Sequence, residues 1–132
     1  MNKKIQAFTL AELMIVLVII GILVLLALPN LMPLISKAKS TEAKIHLEHI
    51  YNLEKSHFYM YSKYTNDLQA IGYQQEVLIT EGGGANYLLH VELLNTGAYV
   101  AKATSVVDFD NDGVYNVWQI NENKELLEIT PD

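Results

Sequence analysis

At 132 residues the chain has room for one small domain plus a hydrophobic segment, and not for two independent cores. Its formal net charge is -6, all 9 basic residues are Lys, and they form no cluster beyond Lys3-Lys4. This excludes the concentrated, Arg-bearing face that nucleic-acid binding requires, and the absence of Cys removes thiol nucleophiles, Cys-type zinc sites, iron–sulfur clusters and disulfides.

The leader Met1 to Ala7 is short, polar and basic, so the positive-inside rule keeps it cytoplasmic and sends everything beyond the span outwards. Phe8 to Leu28 supplies the roughly 20 apolar residues that a membrane-spanning helix needs. A secretory signal has a shorter apolar core and a small-residue cleavage site after it. Here the run is longer, contains Glu12 and continues into helix-forming sequence. A carboxylate at the edge of such a span is costly unless something pairs with it. A cut between Ala7 and Phe8 would create an α-amino group able to neutralise Glu12, within one helix or between molecules. Pro29 and Pro33 each remove a helical N–H and crowd the preceding turn, so this stretch is expected to bend or partly unwind. Gly21 is a further weak point upstream, or equally a small residue that allows close helix contact.

Ala7-Phe8-Thr9-Leu10-Ala11-Glu12-Leu13, followed by Met14-Ile15-Val16, resembles the processing and methylation motif of type IV pilins and type II secretion pseudopilins. The resemblance implies cleavage before Phe8 by a prepilin peptidase, methylation of the new Phe8 terminus, and contact of Glu12 with the amine of an adjacent subunit during assembly. It also implies that the Pro29 region, with Gly21 and Pro33, melts when subunits pack. The family usually has Gly before the cut, where this chain has Ala7. The motif covers the first quarter of the chain strongly and the rest in outline.

From Lys37 to about Tyr61 the pattern becomes amphipathic. Ala43, Leu47, Ile50, Leu53 and Tyr61 fall on one side with Phe58 at its edge, opposite Lys44, Glu48, Asn52 and Lys55. Glu54 points near this stripe and needs a partner. A single helix from roughly Thr9 to Tyr61 would be on the order of 80 Å long. His46, His49 and His57 lack a common face with a third ligand and read as partly buried or surface residues, while His90, inside the first strand, reads as structural. The aromatic run Phe58 to Tyr61, with Tyr51 and Tyr64, reads as packing around the helix end. The charge is uneven: residues 37–63 carry five Lys against three Glu, and residues 85–132 carry eight acids against two Lys. Such polarity is either a solvated surface or a means of orienting like subunits.

Ser62 to Gly84 reads as connecting structure with a short helical turn at Asn66 to Ile71, and Glu81 to Asn86 as a flexible loop tip. Strand signals follow at Tyr87 to Leu94, Ala98 to Val107, Val114 to Ile120 and Leu126 to Ile129, joined by turns at Asn95-Thr96-Gly97 and Asn121 to Lys124. The expected fold is α+β and pilin-like: a long N-terminal helix, half transmembrane and half amphipathic, packed on a small antiparallel sheet. The expected divisions are a removed leader at 1–7, a transmembrane and filament-core helix at 8–36, and the half-helix with its globular domain at 37–132.

Asp108, Asp110 and Asp112, with Gly113 after the third, resemble the first half of a calcium loop. The Val114 carbonyl and Asn116 are further candidate ligands. Gln119 stands where an EF-hand needs Glu, so a weak site is expected, if the segment is not simply an Asp-Gly turn. Major pseudopilins among the family bind calcium in their C-terminal loops, which strengthens the ion reading here. No catalytic constellation is present. The expected function is a structural subunit of a type IV pilus-like filament, held in the inner membrane with its globular part outside. Its partners would be like subunits, other pilin-like subunits, the prepilin peptidase and methylase, and an inner-membrane assembly platform. A secretion pseudopilin is the near alternative, and an uncleaved membrane-anchored calcium-binding module the alternative of another class.

Overall fold

The computed structural model describes residues 6–132. Residues 1–5 of the expected leader, Lys3-Lys4 among them, lie outside the described residues. The element order is α1 (Leu10–Tyr61), β1 (Tyr87–Asn95), β2 (Ala98–Ser105), β3 (Val117–Asn121) and β4 (Leu126–Thr130). The chain divides into two compact units, one ending at Leu34 and one spanning Ile35–Asp132.

The first unit is apolar and buries nothing. Every residue from 6 to 35 is exposed, including Leu17, Ile19, Leu23 and Leu26. The segment is long and apolar enough to cross a membrane. Pro29 and Pro33 do not unwind it: the helix is unbroken through both. Each proline leaves the carbonyl four residues earlier without its usual donor. Between the two prolines the Asn30 Nδ2–H donates to the Leu26 carbonyl at 3.4 Å, one residue beyond the Leu25 carbonyl that Pro29 leaves free.

The second unit is a sheet covered on one face by helix. All four strands are antiparallel, in the order β1-β2-β3-β4. Side chains alternate across the pleat, which turns Tyr87, Leu89 and Val91 of β1 and Tyr99, Ala101 and Ala103 of β2 inwards. Leu89 pairs with Ala103 and Val91 with Ala101. These alanines leave depth over the sheet centre for the larger Leu47 and Ile50 of the same core cluster.

The buried helix face is Ser36, Ser40, Ala43, Leu47, Ile50, Glu54 and His57, at alternating steps of four and three. The expected stripe is thus right at its centre and wrong at its end. Tyr61 is 61% exposed, while Glu54 and His57 take the inward positions, because they tie the helix to the chain that leaves it. One Glu54 carboxylate oxygen accepts the Thr65 N–H at 3.1 Å, and His57 Nδ1 meets the Lys63 carbonyl at 2.8 Å. Of the aromatic run, Phe58 stacks on Tyr64 and Tyr64 packs on Tyr99, both at 4.7 Å between centroids. Tyr59 and Tyr61 face outwards.

The glycine loop is tightly pinned rather than flexible. Ala85 and Gly83 donate to the Val77 and Leu78 carbonyls at 3.1 and 2.9 Å, and Ile79 donates to Ala85 at 2.8 Å. A Cβ on Gly83 would sit 1.9 Å from the Val77 oxygen, so only glycine fits. The turn near Asn66 is present and capped by Asp67, whose carboxylate accepts the Gln69 N–H at 3.0 Å.

Candidate functional site

The first unit carries its chemistry at its start. Helix α1 opens at Leu10, so Thr9 is the N-cap residue and Glu12 the third helical position. The Thr9 N–H donates to Glu12 Oε2 at 2.7 Å, and the Glu12 N–H donates to Thr9 Oγ1 at 3.2 Å. This reciprocal pair is a capping box, which satisfies two donors that a helix start leaves open. Phe8, before the cap, and Leu13, four residues into the helix, line one shallow apolar hollow of about 130 Å³ with Glu12 and Val16. That is the placing of a hydrophobic staple, which fixes the angle at which the chain enters the helix.

The Ala7–Phe8 bond therefore lies in exposed, non-helical chain immediately before a stapled and capped helix, with Phe8 82% exposed. Glu12 has a partner already, the Thr9 N–H. The Thr9-x-x-Glu12 spacing before an apolar run is the sequence signal for this box; reading Glu12 only as a counter-charge passed over it. Gly21, Pro29 and Pro33 lie further along the same exposed helix, and a Cβ at Gly21 would meet nothing within 4 Å.

The second unit carries an acidic loop between β2 and β3. Asp108 organises it, accepting the Asn111 and Gly113 N–H groups at 2.7 Å each. Asn111 and Gly113 hold left-handed conformations, at φ 63° and 88°, which Asn and Gly tolerate best. Asp110 accepts the Asp112 N–H at 3.1 Å, and Asp112 accepts the Val114 N–H at 2.7 Å. Partial desolvation raises the Asp108 carboxyl, but the N–H groups of Gly113, Asn111, Asp112 and Asp110 outweigh it and hold it below its ordinary range. Asp110 is shifted upwards, by desolvation and then by the neighbouring Asp112 and Asp132 charges, against the Asp112 N–H.

A fourth carboxylate completes the group. Single oxygens of Asp108, Asp110, Asp112 and Asp132 lie within 4.8 Å of one another. Asp132 is fixed in place: its Oδ2 accepts the Phe109 N–H at 3.0 Å, and its main-chain oxygen accepts the Ser36 hydroxyl. Its Oδ1 is buried without a partner among the described residues. No spacing rule links residue 132 to this loop, since only the return of β4 beside β3 brings it there.

The Asn116 side chain does not join these carboxylates. It is fully buried, and its Oδ1 accepts the Tyr87 hydroxyl at 2.7 Å and the Ser40 hydroxyl at 3.4 Å. Its Nδ2 donates to Glu128 at 2.8 Å and to the Thr130 carbonyl at 2.9 Å. Every polar atom of its side chain is used in joining α1, β1 and β4, which also explains why β3 starts at Val117 instead of Val114. Val114 stays in the loop, as the donor to Asp112.

Of the histidines, His46 and His57 make polar contacts within the fold, whereas His49 and His90 are exposed, so His90 is a surface residue of β1 and not a structural one. His46 Nδ1 lies 3.2 Å from the Tyr73 hydroxyl, and burial pushes that phenol up to about 12.

Residues 2–28 match the family model described as the prokaryotic N-terminal methylation motif. The chain is also 40% identical over 75 residues to the type IV major pilin protein PilA of Myxococcus xanthus (strain DK1622). The chain thus carries a methylation motif and is similar, over the matched stretch, to a type IV major pilin. The matched stretch is 57% of this chain, which spans about a third of the length of that relative, 34%. No solved structure matches it significantly. The methylation-motif match contains Ala7, Phe8, Thr9 and Glu12, so the capping box and staple lie inside the matched motif.

Proposed function

We propose that the chain is a structural subunit of a type IV pilus-like filament, stored in the inner membrane and polymerised through its N-terminal helix. The observation that carries this reading is the exposed Ala7–Phe8 bond before a capped, wholly exposed apolar helix within a methylation motif. Cleavage there would free the Phe8 amine for methylation beside Glu12. Thr9 and Glu12 would then hold the helix start in order, and the carboxylate would be available to the amine of a neighbouring subunit. The unburied face from Phe8 to Ile35 has no partner of its own and would be covered by lipid in storage and by other subunits in the filament. Similarity to a major pilin supports a structural role over a catalytic one. The globular unit would stand outside the cytoplasm, and the prepilin peptidase and assembly platform are the partners such a route needs.

Mass spectrometry of the N-terminal peptide from membranes tests the proposal. A species beginning with methylated Phe8 supports it. Persistent leader in all molecules sinks it, and leaves the uncleaved membrane-anchored module. Glu12→Ala should insert normally but enter filaments poorly; undiminished entry would refute the pairing role of Glu12.

We further propose that Asp108, Asp110, Asp112 and Asp132 hold a calcium ion. The oxygen-only donor set suits a hard cation, and the buried, unpartnered Asp132 Oδ1 fits a ligand role. The ion would neutralise the crowded carboxylates and tie the loop to β4. A melting temperature raised by millimolar calcium, with the rise lost in Asp110→Ala and Asp132→Asn, supports the site; a wild type indifferent to calcium leaves a simple turn. An occupied site would favour the second reading, a type II secretion pseudopilin, and the genomic neighbourhood separates a pilus operon from a secretion operon.

A further inference from the structure

One side chain outside both sites behaves as though it were backbone. β1 is an edge strand, with β2 on one side only. On its open side Gln75 Nε2–H donates to the Tyr87 carbonyl at 3.0 Å, and Gln75 Oε1 accepts the Leu89 N–H at 3.0 Å. A carbonyl and an N–H two residues apart are the pair that one residue of an adjoining strand would engage. The chain around Gln75 is not itself a strand, and its nearest ladder contact is the single bridge between Leu78 and Ala85. We propose that Gln75 is a strand surrogate: its amide occupies the open edge of β1 and prevents a strand of a second copy from pairing there.

The chemistry selects this residue type. A primary amide is the only neutral side-chain group with a donor and an acceptor side by side, as a peptide group has them. Glu would keep the acceptor and lose the donor, Lys would do the reverse, and Asn is one methylene shorter. A second donated bond, to the Glu76 carbonyl at 3.1 Å, holds the Gln75 amide in its plane of use.

The edge has something to guard against. Tyr87-Leu88-Leu89-His90-Val91-Glu92-Leu93-Leu94 is long, apolar and interrupted by a single acid, the composition of a segment prone to pair with its own copies. At the opposite edge β4 has only five residues and an irregular register against β3 between Val117 and Trp118, features that discourage pairing without any added device. A filament brings many copies of β1 to high local concentration, so a blocked edge leaves polymerisation to the helices.

Hydrogen exchange of the full-length protein in detergent micelles tests this, with a labelled synthetic peptide of sequence Tyr87 to Leu94 as the probe. In Gln75→Met and Gln75→Ala the Leu89 amide should exchange about tenfold faster, the scale of one lost hydrogen bond, and these variants should capture the peptide while wild type does not. Gln75→Glu keeps the acceptor, so Leu89 should stay within about twofold of wild type. That contrast separates hydrogen bonding from loop packing. Folded Met and Ala variants with wild-type Leu89 protection, or without peptide capture, overturn the proposal. If both fail to fold, loss of Leu89 protection in the Glu variant overturns it and retention supports it.

Discussion

The two units of this chain solve opposite problems. From residue 6 to 35 nothing is buried, and Thr9 and Glu12 close the helix start between themselves. From Ile35 onwards the chain covers a sheet face with helix, and buried polar groups such as Asn86 are paired within the unit: Glu42 accepts both the Asn86 N–H and its side-chain amide at 2.8 Å each. One unit buries a core of its own, and the other, among the described residues, buries nothing. The same kind of substitution should therefore have different consequences on the two sides of Leu34.

The widest contrast lies between two leucines. Leu47→Ala removes a fully buried side chain and should cost about 2–5 kcal/mol in denaturant unfolding of the micelle-bound protein. Leu17→Ala, in the exposed unit, should leave that transition within about 0.5 kcal/mol. Equal losses would erase the distinction between the units. Asn116→Ala should cost on the order of 3 kcal/mol, because it strands the Tyr87 hydroxyl and the Thr130 carbonyl in the interior. Calcium should not restore it, since Asn116 stands apart from the carboxylate group.

Thr9→Ala removes the cap and should weaken the helix start by about 1 kcal/mol, seen as faster amide exchange at Glu12, with Thr9→Ser near wild type. The globular melting transition should not move, which keeps the effect on its own side of the boundary.

The smallest effect concerns pH. Burial lifts the Glu54 carboxyl above its ordinary value of 4.5, outweighing the Thr65 N–H and the nearby His57 that pull it down. The folded state thus holds a proton that the unfolded state has released. This contribution to stability is complete below about pH 4.5 and is lost as pH rises through the raised value. Glu54→Gln should flatten that slope in a series of melting curves, and an unchanged slope would place the titration elsewhere.

Much of the fold was legible in the residues. The apolar run, the change to an amphipathic pattern near Lys37 and the four strand signals each belong to a local period, and local periods survive folding. Ala7, Phe8 and Glu12 sit in one contiguous methylation motif, as legible as the run itself. The inward turn of Glu54 and His57 was not, because their partners are main-chain groups of a loop with no pattern to announce them. Asn116 was misplaced for a related reason. Its spacing from the aspartates suits a ligand, but Tyr87, Ser40, Glu128 and Thr130 reach it first.

What the sequence determined by itself is whatever depends on neighbours along the chain: the apolar span, the methylation motif, the α+β order of elements and the Asp-rich turn. Tertiary structure alone decided which carboxylates converge, which glutamine imitates a strand and which asparagine joins helix to sheet. Each of those joins residues at least a dozen positions apart. Hydrogen bonds and charges act across space, and the spaces they cross exist only once helix and sheet have packed.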